Sequence, residues 1–226
     1  MNQEMTVAGG IEGYAAKTPS YFIGLRRDYV SELPANPESN ILEIGCGEGR
    51  TGELALAEGK CKAYRGVEIC QEVADRAKTR LTEVIVGNVE EMELPWKAGS
   101  FDVLVLSEVL EHLVDPWRVL RKLHPLLKPE AKVFASSPNV SHYRTIRMLI
   151  RGDWALADMG PMDRTHLRWF TPKTYRELFE ACGYEVQSAK ELSPLTWKAK
   201  AFLFFGLGRF RHLFIGQVDL RAHKVA

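Results

Sequence analysis

The chain has 226 residues, 46% apolar and 26% charged, a balance that suits one soluble α/β domain whose core needs no covalent staple. Lys plus Arg total 30 against 29 for Asp plus Glu, which leaves no basic footprint for nucleic acid. Cys46, Cys61, Cys70 and Cys182 show neither CxxC nor Cys/His spacing, so neither a disulfide framework nor a metal is expected. The opening "MNQEMTVAGG" is no secretory signal, and the most apolar run, residues 199–207, is far too short to span a bilayer; the reading is cytoplasmic.

In chain order, β-branched runs alternate with helical patterns, the signature of a parallel sheet covered on both faces. Residues 1–35 read as an N-terminal helical cap, with a helix at 21–33 ("YFIGLRRDYVSEL") broken by "PANP". Strands follow at Asn40–Ile44 and Ala63–Glu68, each with a helix after it, at 48–58 and 71–80. Strands three and four are residues 83–87 and Phe101–Ser107, the latter almost wholly apolar. Asp115 as N-cap and Pro116 at the first position start a helix whose buried face is Val119, Leu120, Leu123 and Leu127. Strand five is 132–136. Thr171 and Pro172 repeat the cap-then-proline start, Gly183 ends that helix, and strands at 184–189 and 216–222 complete the set. Residues 138–170 break the rhythm, because connections of roughly 2–6 residues are usual there. An insertion at such a sheet edge is expected to cover a ligand.

The stretch "NILEIGCGEGRTGELALAEG" fits two fingerprints. Read from Gly47, "GEGRTG" satisfies G-x-G-x-x-G, with Glu68 about twenty residues on, as a dinucleotide site has it. The glycine that follows the strand directly is Gly45, however, and the sixth position from it is Arg50, where helix–strand packing wants glycine or alanine. Glu43, two residues before Gly45, repels a pyrophosphate but suits a ligand carrying an ammonium and a sulfonium. That balance points to S-adenosylmethionine, with an NAD-dependent oxidoreductase as the alternative.

Three phrases, "ILEIGCGEG", "YRGVEI" and "VIVGNVEEMELPWKAGSFDVLVLSEVLEHLVDP", resemble the motifs of class I S-adenosylmethionine-dependent methyltransferases, and the likeness runs from about Tyr21 onward. "LSEVLEHLVDP" is most similar to the ubiquinone-type O-methyltransferase branch. "SSPNVSHYRTIRMLIRGDW" is similar to the small MetW-type proteins of methionine biosynthesis. The resemblance implies a single domain over residues 1–226 with a Rossmann-like, doubly wound, seven-stranded, mostly parallel sheet. It implies S-adenosyl-L-methionine as cofactor and a small-molecule acceptor methylated on a hydroxyl oxygen; the MetW likeness implies instead a cofactor-binding partner of an acyltransferase. By position it places the backbone of Gly45, Cys46 and Gly47 beside the methionine moiety and Glu68, with Ile69 after it, at the ribose. Asn88 and Val89 fall at the adenine, and Ser107 and Glu108 at the reactive methyl. A plainer reading of Glu108 is a helix-face partner of His112 four residues on.

Methyl transfer is a direct displacement from an activated donor. Alignment, worth ~7–11 kcal/mol, therefore outweighs a general base, worth roughly 10²–10⁴-fold. The insertion offers polar groups in "PNVSHYR" (Asn139, His142, Tyr143, Arg144) and in "MGPMDRTHLRWFTP", which resembles a block of the same branch. His166 is the first candidate to take the acceptor's proton, oriented by Asp163, with Arg144 or Arg164 gripping an anionic group. The alternative is that Asp163 and Arg164 pin the insertion while His166 bonds to backbone. His112 is the second candidate base; His124 reads as structural. Residues 197–214, with Phe202, Phe205, Phe210, Arg209, Arg211 and His212, either pack over the sheet or rest on a membrane surface. Oligomeric state leaves no mark on the sequence.

Overall fold

A computed structural model describes residues 17–191 and 209–225. At its centre β1 (Asn40–Ile44) and β4 (Phe101–Ser107) run parallel, with Ile41 opposite Val103 and Glu43 opposite Val105. Ile41, Leu42, Val103 and Leu104 are fully buried, which is why β4 reads as an almost continuous apolar run and β1, past Asn40, departs from one only at Glu43. β2 (Ala63–Glu68) and β3 (Glu83–Val86) extend the sheet on one side; β5 (Leu127–Pro138), β6 (Tyr184–Glu191) and β7 (Gln217–Lys224) extend it on the other. The order is β3-β2-β1-β4-β5-β7-β6, and β7 alone runs antiparallel to its neighbours. The chain steps outward from β1 to β3 and then returns to β4 on the other side of β1. A crevice therefore opens at the carboxyl ends of β1 and β4, where such sheets bind ligands.

Period-two alternation sends Leu42 and Ile44 into one core, with Leu104, Leu120 and Phe179, and Ile41 into the other, with Tyr29, Ala55 and Tyr64. The helices α1 (Arg27–Glu32), α2 (Arg50–Ala57), α3 (Gln71–Ala77), α4 (Pro116–Leu123), α5 (Tyr143–Ile150) and α6 (Pro172–Glu180) cover these faces or the insertion. Asp115 caps α4 through Arg118 N at 2.9 Å, and Thr171 and Thr174 form a capping box on α6. Gly183, at φ +86°, follows α6. Among the described residues no helix is long and apolar enough to cross a membrane.

Several expectations shift. The helix expected at 21–33 begins only at Arg27, because Arg26 is non-helical and its amide is tied to Thr51 Oγ1 of α2 at 3.1 Å. Leu127 does not belong to the α4 face: a turn at His124–Leu126 with Pro125 ends the helix, and Leu127 pairs with Phe101 as the start of β5. The 138–170 segment holds α5, which its sequence had not suggested, and a bridge between Asn139 and Phe170 joins its two ends. The cap before Lys17, and Phe202 and Phe205 of the aromatic segment, lie outside the described residues.

Leu104→Ala would hollow the core between β1 and β5, and a cost of about 2–5 kcal/mol is expected. Urea unfolding reads it as a lower midpoint at constant m-value; an unchanged midpoint would contradict this packing.

Candidate functional site

The turn after β1 is built from two constraints. Gly45 and Gly47 hold φ of +68° and +54°, and a Cβ on either would lie 2.6 Å from Val109 Cγ2 or 2.7 Å from the Phe22 carbonyl oxygen. The amides read as facing a ligand are used inside the protein. Those of Gly45 and Cys46 donate to the Val67 carbonyl at 2.8 and 3.2 Å, and that of Gly47 donates to Glu68 Oε2 at 3.0 Å. The turn thus offers bare backbone surface rather than an amide nest. Cys46 packs its sulfur against Gly66, where a Cβ would strike it. The close helix–strand contact falls at Gly52 against Tyr64, not at Arg50, so the glycine frame starting at Gly47 does meet its packing demand and the pattern alone does not separate the two fingerprints.

Around this turn the sheet buries carboxyl groups. Glu68, at the end of β2, accepts from the Gly47 and Cys70 amides, both at 3.0 Å; burial raises its pKa while those bonds oppose the rise. Glu43 accepts from Tyr64 OH at 2.8 Å, and burial pushes it up to about 8. Asn88 turns its side-chain oxygen to the Glu90 amide at 3.0 Å, with Val89 buried next to it. Glu108 sits in the left-handed region at φ +55°, a strained position for a non-glycine residue. No α-helix forms there to set Glu108 against His112 four residues on, as the plainer reading had it, and Glu108 accepts a hydrogen bond from Gln217 of β7. Arg26 reaches into the same space, donating to Ser107 Oγ at 2.9 Å, Ser136 Oγ at 2.8 Å and Asp219 at 3.0 Å.

The two histidines meet on the far side of the crevice. The rings of His112 and His166 are 4.6 Å apart at 67°. His112 Nδ1 lies 3.2 Å from the Thr165 carbonyl, and Nε2 lies 3.3 Å from Tyr21 OH. A carbonyl only accepts, so the proton is assigned to Nδ1, and Nε2 accepts from the tyrosine. Burial, helped by His166, lowers His112 to about 4. Burial also lowers His166, against the pull of Asp163 and a hydrogen bond to the Pro161 backbone. Asp163 does not grip the His166 ring. Its carboxylate takes Thr165 N at 2.9 Å, Thr165 Oγ1 at 2.8 Å and Lys17 Nζ at 2.5 Å, so it bears on His112 through Thr165. Glu111 is buried beside the histidines; its backbone carbonyl accepts from Leu167 and Arg168, and ligand atoms of Glu111, His112 and His166 lie within 4.8 Å of one another.

A cavity of about 1960 Å³ joins these parts and is lined by the β1 turn, Glu68, Ile69, Asn88, Ser107, Glu108, His112 and His166. It exceeds the ~300–1,000 Å³ usual for one small ligand, which leaves room for two. His142, Tyr143 and Arg144 line it; Asn139 and Arg164 do not. Asn139 is fully buried with its amide donating to the His212 and Ile215 carbonyls at 2.7 and 2.6 Å, a structural pin. Arg164 is exposed and paired with Asp158 at 3.0 Å. Lys17, Tyr21, Arg26, Glu111 and Thr165 were not legible as site residues; only Glu111, inside "SEVLEH", and Thr165, inside "DRTH", had a motif neighbour to point at them.

The sequence model of a family described as a methyltransferase domain matches residues 16–189. A ubiquinone biosynthesis O-methyltransferase of Xanthomonas campestris pv. campestris (strain B100) is 31% identical over 186 residues, covering 79% of this chain and 76% of that protein. The 27-O-demethylrifamycin SV methyltransferase of Amycolatopsis mediterranei (strain S699) is 27% identical over 192 residues, covering 77% of this chain but only 65% of that protein's length. The solved structure of phosphoethanolamine N-methyltransferase 2 from Haemonchus contortus in complex with S-adenosyl-L-methionine superposes with a TM-score of 0.63 at 15% identity, over 88% of this chain and 53% of that one. The chain belongs to the methyltransferase-domain family. It is an S-adenosylmethionine-dependent methyltransferase with the Rossmann-like fold of that class.

The histidine pair sets an acid limb. Unfolded, His112 titrates near its ordinary 6.5; folded, it holds off protonation to about 4. The unfolded chain therefore binds the proton first, and stability falls as pH drops from about 6.5 toward 4. His112→Gln is expected to flatten that fall in thermal melts across the window. Superimposable pH profiles would contradict the burial of a neutral ring.

Proposed function

We propose that the chain methylates a hydroxyl oxygen of a small-molecule acceptor. The observation that carries this reading is that one cavity holds both the turn after β1, with Glu68, and the His112–His166 pair. The O-methyltransferase names of the Xanthomonas relatives support the choice of oxygen.

The residues fit the cofactor by their chemistry. When bound, S-adenosylmethionine supplies a methyl group on a positively charged sulfur. Two carboxylate oxygens have about four lone-pair sites, so Glu68, after its two amide bonds, keeps capacity for the ribose hydroxyls. Asn88 and Val89 flank the adenine edge, with Ile69 next to the ribose. Glu43, Ser107 and Glu108 face the methionine end, and a cation placed there favours the ionised form of Glu43. Gly45, Cys46 and Gly47 contribute the unobstructed backbone against which the donor lies.

On the acceptor side, His166 is neutral at pH 7, since burial lowers its pKa, and one ring nitrogen faces the Pro161 backbone. The other accepts the hydroxyl proton as the oxygen attacks. His112, held by Thr165 and Tyr21, keeps the His166 ring in place, and Asp163 fixes Thr165. His142, Tyr143 and Arg144 orient the acceptor, while residues 138–170 keep water from the reacting atoms. In that position alignment supplies the larger share of the rate and the histidine the smaller.

S-adenosylhomocysteine at 100 Kd is expected to stabilise the fold by about 2.7 kcal/mol in a thermal-shift series, with NAD giving nothing. Stabilisation by NAD alone would favour the oxidoreductase alternative. Glu68→Ala should weaken cofactor binding roughly tenfold, from a charged hydrogen bond worth about 1.5–3 kcal/mol. His166→Ala should keep cofactor affinity and lose kcat; unchanged turnover on the acceptor removes His166 from the reaction.

A further inference from the structure

A row of contacts runs from the start of the insertion to the end of β4. Asn139, fully buried, donates from its amide to the Gly216 carbonyl at 3.1 Å and from its side chain to the Ile215 carbonyl at 2.6 Å. Those bonds fix the approach to Gln217, the first residue of β7, which pairs with Pro138 at the carboxyl end of β5. Gln217 Nε2 in turn donates to Glu108 Oε1, and both residues line the cavity. Glu108 holds a φ of +55°, with its own amide tied to the Ser136 carbonyl at 3.1 Å. Strain of that kind persists only where surrounding contacts over-determine it, and it clusters at ligand sites. Glu108 has no ion pair among the described residues. The guanidiniums in this region are already matched: Arg26 pairs with Asp28 at 2.6 Å and Asp219 at 3.0 Å, and Arg221 with Asp219 at 2.8 Å and Glu32 at 2.7 Å. Two cations thus stand among three acids, and the charge of Glu108 is left for a ligand to neutralise.

We propose that Glu108, held in place by Gln217, recognises the positive charge on the cofactor's sulfur and so tells the methyl donor from its spent product. The inference rests on the cofactor reading above and adds Gln217 to it as a positioning residue. Order along the sheet supplies the placement. Glu68 ends β2, the glycine turn follows β1, Glu108 follows β4, and the His112–His166 pair stands on the far side of the crevice. With the ribose at Glu68 and the acceptor at the histidines, the sulfonium lies between them, at the end of β4. An opposite charge within ~4–6 Å of a carboxylate shifts its protonation equilibrium by a factor of ~10–1,000, and the ligand gains what the carboxylate gains. Burial works against the ionised form of Glu108, and the Gln217 N–H opposes that effect. Once the methyl has gone to the acceptor oxygen, the electron pair of the broken bond stays on sulfur, which becomes a neutral thioether. The attraction then vanishes, so the same pair that holds the donor lets the product go.

S-adenosylmethionine and S-adenosylhomocysteine differ by that methyl and that charge, so separate calorimetric titrations of the full chain with each compound read the effect without any acceptor. Glu108→Gln should weaken S-adenosylmethionine about tenfold and leave S-adenosylhomocysteine within about twofold. Gln217→Met, similar in length but without the donor, should also weaken the charged ligand selectively. The double variant should be no weaker than Glu108→Gln alone, because Gln217 acts through Glu108. Retained S-adenosylhomocysteine affinity shows that each variant still folds its site. Parallel weakening of both ligands would reduce the pair to a structural contact and overturn the proposal, as would unchanged affinities in both single variants. A wild-type chain that bound neither compound would overturn the cofactor reading itself, and this inference with it.

Discussion

Four carboxyl groups, Glu43, Glu68, Glu108 and Glu111, are withdrawn from water at or just beyond the ends of β1, β2 and β4. Burying an anion costs several kcal/mol unless partners replace its water. The chain offsets that cost locally at three of them, with Tyr64 at Glu43, two backbone amides at Glu68, Gln217 at Glu108 and the guanidinium of Arg26 nearby, whereas both carboxylate oxygens of Glu111 are buried without a hydrogen-bond partner among the described residues. The remainder appears as raised pKa values, a reserve of negative charge that a cationic ligand would draw out. A diphosphate in the same place would draw out no such charge and would push those pKa values higher still. The proposed role of these acids therefore follows from electrostatics, not from the glycine pattern, which both fingerprints satisfy.

The opposite wall depends on contacts between distant parts of the chain. Lys17 reaches Asp163 across 146 positions, Tyr21 reaches His112 across 91, and the Phe22 carbonyl accepts from the Glu48 amide at 3.3 Å. Arg26, lying 3.5 Å from the Tyr29 ring centroid, ties the same segment to β4, β5 and β7. The segment from Lys17 to Arg26 is thus part of the site as well as of the fold. Its polar contacts fix the His112 ring, against which the His166 ring packs edge-on.

What was legible in the sequence had a local cause. β4 emerged because residues buried on both faces must be apolar almost without interruption, β7 because its buried residues alternate with less buried ones, and α4 and α6 because Asp115–Pro116 and Thr171–Pro172 carry their own caps. Glu68 was legible from its place at a strand end. α5 was not, because its apolar residues point outward and its arginines break the pattern of a core helix. Asp163 was read as orienting His166, but the Thr165 amide and hydroxyl, two residues on, take its carboxylate. Asn139 looked like a substrate ligand and proved to be spent on backbone carbonyls 73 and 76 positions away. Arg26 and Lys17 act on partners too distant for any motif to contain them.

The proposed pairing of buried acid with cationic donor is tested most directly by proton linkage. Calorimetric titration of S-adenosylmethionine at neutral pH, in two buffers of different ionisation enthalpy, counts the protons exchanged on binding. Glu43, held near 8 by burial, should give up its proton when the sulfonium arrives, and Glu43→Gln should abolish that release. Binding without proton release, or the same release from the Glu43→Gln protein, would contradict the pairing.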